Sequence, residues 1–350
     1  MHDVARVAGV SIKTVSNVIN DYPHVSAATR SRVQSAIDEL DYRPNLSARG
    51  LRSGRTGIIG LAVPALRENY FAELADSVIR AAEKRGLGVV VEQTSEERSR
   101  EILAVSGGPR RFIDGLLFSP VALGQADAHI LDVPFPLVLL GERIFGGPTD
   151  HVTMHNTTSA EAAVAHLVEM GRRRIALVGA SSADDDDVSS AGLRLRGYRR
   201  GLLAAGIPFD PLLVRGSGHW SRESGVATTH RLVADAVPFD AVFALNDTLA
   251  LGVLRALGEE GIRVPEDVAV IGFDNIDEAR FSVPSLTSVD TGRAEIADIA
   301  VELLVERINE KGERRPPRTV KPGFSIATRE STGHLASIGG LEAADGTRAL

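Results

Sequence analysis

From Val4 to Leu40 the apolar residues recur at helical spacing in three short runs, and from Gly57 onward short β-rich runs alternate with longer helical patterns. The architecture therefore changes at about Arg55. Downstream, the segments 58–63, 87–91, 115–118 and 137–140 are apolar at nearly every position rather than at every second one, the pattern of parallel strands buried on both faces. A second series at 174–178, 240–244 and 268–272 repeats the arrangement, with helical patterns at 158–170, 193–205 and 247–260. Two β/α lobes follow from this alternation. Ligands of such folds bind beyond the carboxyl ends of the strands, so a cleft between the lobes is the expected site. The segment 334–350, rich in Gly and Ala, reads as a loose tail.

The first run predicts a helix over 3–8 that stops at Gly9, then Ser11 as cap of a second helix over 12–20. On that second helix Val15, Val18 and Ile19 share a face and bury against the first, leaving Ile12, Lys13, Ser16 and Asn17 outward. Ser26 caps a third helix whose Val33, Ile37 and Leu40 close a small core. Helix, glycine turn and capped helix make a helix-turn-helix, with the outward set placed to enter a major groove. An ordinary three-helix cap shares this spacing.

Composition narrows the class. With 43% hydrophobic and 24% charged residues the chain of 350 residues is not a disordered one, and its length suits a small module joined to a bilobed one. There is no cysteine, which removes a disulfide framework, a thiolate zinc site and a cysteine nucleophile, and suits a reducing compartment. No segment approaches 18 apolar residues and the start has no basic region followed by an apolar core, so a cytoplasmic location is expected. The net charge of −7 is segregated: residues 1–57 hold 8 basic against 5 acidic residues, and the remainder 31 against 41. A basic head on an acidic body suits a protein that meets phosphate at one end. No phosphate loop, nucleophile elbow, zinc-protease or dinucleotide fingerprint is present, so neither an enzyme nor a cofactor is expected. The run from Asp184 to Asp187 reads as a solvated loop rather than a metal site.

The segments 3–11, 14–16, 25–26 and 42–45, with Ala48, Leu51, 57–61, 271–275 and 286–289, resemble the lactose-repressor (LacI/GalR) family over nearly the whole chain to about Gly333. The resemblance implies an N-terminal all-α helix-turn-helix head on an α/β body of periplasmic-binding-protein type, with two doubly wound parallel-sheet lobes. It divides the chain into a DNA-binding domain at 1–44, a hinge helix and linker at 45–57, and an effector-binding and dimerisation body at 58–333. The first lobe takes 58–157 and 290–318, the second 158–289 and 319–333. Ile12, Lys13 and Asn17 fall where family members read base edges, with Thr14 and Ser16 on phosphates. Lys13 has the chemistry to donate to guanine, Asn17 to pair with adenine, and Ile12 to pack on a thymine methyl. Asn45, Ala48 and Leu51 fall in the hinge helix, where Leu51 takes the place of a wedge driven into the minor groove; two wedges require a dimer. Gly50 lowers helix propensity by about 1 kcal/mol relative to alanine, so the hinge is expected to be more disordered off DNA. The family places a Thr before helix one, a position that precedes Met1, so this helix is expected to start without a side-chain cap and the native product to begin a few residues earlier.

The same resemblance places the effector pocket between the lobes, lined by Arg194, Trp220, Asn246 and Asp274. These types suit a polyhydroxylated ligand, with paired donors and acceptors for vicinal hydroxyls and a flat apolar face for ring C–H groups. Tyr70 and Phe71 lie where purine-binding relatives stack a base, so a flat ligand is also compatible. An Asp-Asn pair of the family is His155-Asn156 here, which weakens any transfer of ligand identity. The function implied is a homodimeric transcriptional repressor whose hold on a pseudo-palindromic operator is set by a small effector, with sugar the first expectation and both induction and corepression open. The tail shows no leucine heptad, so a dimer rather than a tetramer is expected. The competing reading is a sugar-binding protein with the same body and no DNA function.

Overall fold

A computed structural model of the chain describes residues 1–19, 22–42, 55–107, 112–180 and 187–333. It divides into two compact units, Met1–Gly57 and Ile58–Leu350. The first contains α1 (His2–Ala8), α2 (Ile12–Ile19) and α3 (Ala27–Glu39). Helix α1 starts at Met1 without a side-chain cap and stops at Gly9, whose φ of 63° is the left-handed turn a glycine takes without cost. Ser11 Oγ accepts from Thr14 N at 3.1 Å and Ser26 Oγ from Thr29 N at 3.3 Å, the two caps expected from sequence. Val4, Ala8, Val15, Val18, Val33 and Ala36 form the core, with Ile19, Ile37 and Tyr42 packed against it. Leu40, expected in that core, lies at the end of α3 and is exposed; Ala36, one turn earlier, fills the inward position.

The second unit is built from two six-stranded sheets. In chain order its elements are β1 (Ile58–Val63), α4 (Asn69–Glu83), β2 (Gly88–Gln93), α5 (Arg98–Ser106), β3 (Gly115–Phe118), β4 (Leu137–Leu140) and β5 (Asp150–Val152). Then come α6 (Asn156–Glu169), β6 (Ile175–Val178), α7 (Ser190–Ala204), β7 (Val214–Arg215), α8 (Arg222–Ala234), β8 (Ala241–Ala244), α9 (Asp247–Glu259) and β9 (Ala269–Phe273). The chain ends with β10 (Thr287–Asp290), α10 (Arg293–Asn309), β11 (Thr319–Val320) and β12 (Ser325–Ala327). The first sheet runs β11-β5-β4-β3-β1-β2 and the second β12-β10-β9-β8-β6-β7, parallel throughout except for the β10–β12 pair.

Helices cover both faces of each sheet. Leu74, Val78, Ile296 and Ala300 of α4 and α10 pack on one face of the first, and Ala104 and Val105 of α5 on the other. In the second, α6 and α7 supply Ala163, Leu167, Leu195 and Tyr198 to one face, while Leu249 and Val253 of α9 fill the other. The chain crosses between lobes three times, at 153–155, 291–292 and 321–324. All three boundaries thus shift by a few residues from expectation. Asn156 and Thr157, expected in the first lobe, start α6 on the second; Asp290, expected in the first, closes β10 in the second; and Thr319–Val320, expected in the second, pair with β5 in the first. Strand β2 also departs: Val89 and Val91 pack inward, but Val90 is exposed because β2 is the last strand of its sheet and has only one covered side.

Helices α8 and α9 approach until backbone meets backbone. A Cβ on Gly252 would stand 2.2 Å from the carbonyl oxygen of Arg222, and one on Gly225 2.4 Å from that of Leu249. Gly252→Ala is expected to force the helices apart and cost about 1–3 kcal/mol, read as a lower urea midpoint of the body.

Candidate ligand cavity and DNA-reading face

In the head, Ile12 and Lys13 are exposed on the first turn of α2, and Thr14, Ser16 and Asn17 are half-buried beside them. Thr14 Oγ1 lies 2.9 Å from Ser11 Oγ, so the cap also orients a hydroxyl at the helix start. The buried pair Val15 and Val18 turns this face outward, as the spacing requires. Asn45, Ala48, Gly50 and Leu51 lie outside the described residues, and the hinge reading with them; so does most of the acidic run, of which only Asp187 is described.

In the body, a cavity of about 290 Å³ opens between the carboxyl ends of the two sheets. It brings together Tyr70, Phe71, Arg194, Trp220, Asn246 and Asp274, all six of the residues expected there. Arg194 is buried, not solvated: Nε donates to Asn156 Oδ1 at 2.8 Å, Nη1 to the carbonyl of Leu245, and Nη2 lies 3.5 Å from Asp274 Oδ1. Its guanidinium stacks 3.6 Å from the ring centre of Phe273 and 5.5 Å from that of Trp220. Trp220 donates Nε1–H to the carbonyl of Gly179 at 2.9 Å, which fixes the indole plane at the cavity wall. Asn246 caps α9 by accepting from Leu249 N at 2.8 Å, leaving its amide N–H groups as what it offers the cavity. Tyr70 and Phe71 meet edge to face, 5.2 Å apart at 75°, and also pack on the first-lobe core. His155 does not line the cavity; its ring lies 5.9 Å from Phe324.

Asp274 directly follows β9 with a φ of 103° and Asn275 comes next at 50°. For a residue with a Cβ such conformations cost of order 1–3 kcal/mol and persist where the surroundings impose them. Here they hold a carboxylate at the strand end. Burial is the largest influence on it and outweighs the Arg194 and Arg293 guanidiniums, so the carboxyl is pushed up to about 7. Asp247 is fully buried outside the cavity lining and accepts from Ser288 Oγ at 2.6 Å and Ile276 N at 2.9 Å; burial, then the charge of Asp274, holds its carboxyl well above the usual range. Because the folded value of Asp274 exceeds the unfolded one near 4, the stability it contributes is full below about pH 4 and lost as pH rises through about 7. Asp274→Asn is expected to remove that decline between about pH 4 and about pH 7, measured by thermal unfolding across the range.

Several lining residues were not anticipated. Glu142, two residues past the end of β4, accepts from Ser190 Oγ at 2.8 Å and so ties one lobe to the other; its Oε1 has no partner among the described residues. A polar residue just past the carboxyl end of an apolar strand of an α/β fold is the signal that marks it. Glu68, Glu96 and His219 also line the cavity, as do Ser119, Pro120 and Val121 of the loop after β3. That loop is held from beneath by the buried Glu101, whose carboxylate accepts from the backbone N of Val121 at 2.8 Å, Ala122 at 3.0 Å and Leu123 at 2.7 Å.

Residues 1–45 match the model of bacterial regulatory proteins of the lacI family, and 164–332 match a periplasmic binding protein-like domain. The ribose operon repressor of Escherichia coli K12 is 32% identical over 312 residues, 89% of this chain and 93% of that protein. The chain belongs to the lacI family of bacterial regulatory proteins. The repressor PurR of Pasteurella multocida is 33% identical over 93% of this chain and 96% of its own. Among solved structures, a regulator of LacI family from Sanguibacter keddieii is 47% identical with a TM-score of 0.74, covering 80% of this chain and 100% of that one. The CelR–cellobiose complex (34%, TM-score 0.68) and the Lac repressor dimer bound to operator and the anti-inducer ONPF (28%, TM-score 0.78) each cover 94% of this chain and 98% of theirs. This lacI-family regulator is thus a DNA-binding transcription factor with a two-lobed effector body. Among its described residues no helix is long and apolar enough to cross a membrane.

Proposed function

We propose that the chain is a homodimeric repressor that reads its operator with Ile12, Lys13 and Asn17, braced by Thr14 and Ser16, and releases it when a neutral sugar fills the cavity. The observation that carries the ligand reading is the buried Arg194–Asp274 pair set against the Phe273 and Trp220 rings. Fixed donors and acceptors beside apolar ring faces match alternating hydroxyls and C–H groups. The open Oε1 of Glu142 calls for a donor, which a hydroxyl supplies. A purine is favoured by Tyr70 and Phe71 at the cavity wall, but their edge-to-face contact leaves no parallel slot for a base. The lobes meet through Glu142–Ser190 and through Asp277 N donating to Glu73 Oε1 at 2.9 Å, so ligand entry acts on contacts that set their relative position. Hinge residues Asn45, Ala48 and Leu51 would carry that change to DNA in the dimer.

A thermal-shift screen of sugars and purine bases tests the ligand reading, with anisotropy on genomic fragments for the DNA reading. A sugar should raise the unfolding temperature, and its affinity should rise with pH toward 7 as Asp274 ionises to accept its hydroxyls. Stabilisation by bases alone would reverse the assignment. Lys13→Ala should weaken specific binding by about 1–3 kcal/mol while weak, salt-sensitive binding persists. A head that binds no duplex would leave only the sugar-binding reading.

A further inference from the structure

At the mouth of the cavity three side chains from three separate loops converge. Glu68 follows β1, Glu96 follows β2, and His219 precedes Trp220 on the opposite lobe. One ligand atom from each lies within 4.8 Å of the others, and His219 Nε2 stands 3.7 Å from Glu68 Oε1. The acids are held there on purpose-bent backbone: Ser95 and Glu96 have φ of 58° and 59°, and Leu66 N donates to Gln93 Oε1 at 2.9 Å to join the two loops. Burial, then the charge of Glu96, raises the Glu68 carboxyl above its usual range, and the two acids share a hydrogen bond. Arg67 Nη2 is 3.3 Å from His219 Nε2. A guanidinium only donates, so that nitrogen presents a lone pair. Once the proton shared by the two acids is lost and Arg67 withdraws, three electron-pair donors face one another across the lobes.

The geometry points to a site for a first-row divalent transition metal, Zn²⁺ by its donor set, held by Glu68, Glu96 and His219 and stapling the two lobes at the cavity mouth. One imidazole nitrogen with two carboxylate oxygens suits zinc, whereas Mg²⁺ and Ca²⁺ take oxygen ligands. Bonds of about 2.0–2.2 Å put the ligand atoms of a tetrahedral ion ~3.4 Å apart, close to the His219–Glu68 separation. Arg67 is exposed and swings aside at little cost. Because the ligands come from both lobes, the ion binds the closed arrangement better and shifts the population toward it. Three protein ligands leave a tetrahedral ion one further position, which a water or a ligand hydroxyl would fill. The site needs no particular effector and stands whether or not the cavity takes a sugar.

The test is calorimetric titration of the full chain with ZnCl₂ and, separately, MgCl₂, alongside the emission of Trp220, the single tryptophan and the neighbour of His219. One zinc per chain with a change in Trp220 emission, and no response to magnesium, is expected. His219→Ala and Glu96→Gln should each lose at least the ~10–100-fold that removing a mere outer partner costs a metal site. His230→Ala, which removes another histidine held between glutamates, should bind as the parent does. Zinc affinity unchanged in the first two variants, or absent to millimolar concentration, overturns the site. So does a pH titration of Trp220 emission that is identical with and without zinc, which would mean the cluster exchanges only protons.

Discussion

Arg307→Ala is expected to cost the two-lobed body about 3–5 kcal/mol, seen as a large drop in urea midpoint. Arg307 on α10 is buried and forks onto the fully buried Asp150 of β5, Nε to Oδ2 at 2.9 Å and Nη2 to Oδ1 at 2.8 Å. It also donates to the carbonyls of Arg315 at 2.8 Å and Pro316 at 3.0 Å. Asp150 accepts in turn from Arg318 N at 2.8 Å, so one carboxylate pins the return of the chain from α10 to β11. Without the guanidinium, Asp150 is a buried charge with half its partners gone. Lysine should not rescue, because a point charge cannot reproduce the planar fork. Burial acts to raise the Asp150 carboxyl, but hydrogen bonds from Arg307 and Arg318 outweigh it and hold it below its usual range. Its contribution is therefore present above about pH 4 and lost as pH falls through the depressed value, so the parent should show an acid limb of stability that Arg307→Ala lacks.

The second large effect is expected at Arg194. Arg194→Met should keep operator binding near the parent level while effector affinity falls by about 30-fold or more, for a buried charged partner worth about 2–5 kcal/mol. The side chain also joins Asn156 to Leu245 within the second lobe, so a lower unfolding temperature will accompany the loss. Arg194→Lys separates the two roles, since it keeps the charge beside Asp274 and gives up the fork. An Arg194→Met protein whose operator is released by the parent's effector at the parent's concentration would exclude Arg194 from the ligand site.

Much of the architecture was legible in the sequence because the signals were local. Long apolar runs such as 58–63 and 137–140 announce parallel strands, and Ser11 and Ser26 announce helix starts three residues before the backbone N–H groups that donate to them. Strands β5, β7, β11 and β12, two or three residues long, carry too few positions for any periodicity to register. The exposed side of β2 was hidden for a related reason: Val90 lies in an unbroken apolar run, and only the strand order shows that the run ends a sheet. The cavity residues came from resemblance, and the structure gathers all six; Glu142 carried only the signal of its place past an apolar strand, and Glu68, Glu96 and His219 carried no pattern of their own. The Asp150–Arg307 pair spans 157 residues, a separation across which no single sequence speaks.

The carboxylate of Glu101 beneath the loop after β3 has a consequence for how ligand preference changes. With three successive backbone N–H groups tied to one buried acid, the wall formed by Ser119, Pro120 and Val121 has little freedom to reshape. The opposite wall, from Gly218 to Trp220, begins at a left-handed glycine and is held by side chains alone, the Trp220 indole on the Gly179 carbonyl and the exposed His219 beside Arg67 and Glu68. In a laboratory evolution of new inducers, accepted substitutions should therefore gather on the 218–220 side, and retargeted biosensors built on this scaffold would gain most from randomising that loop.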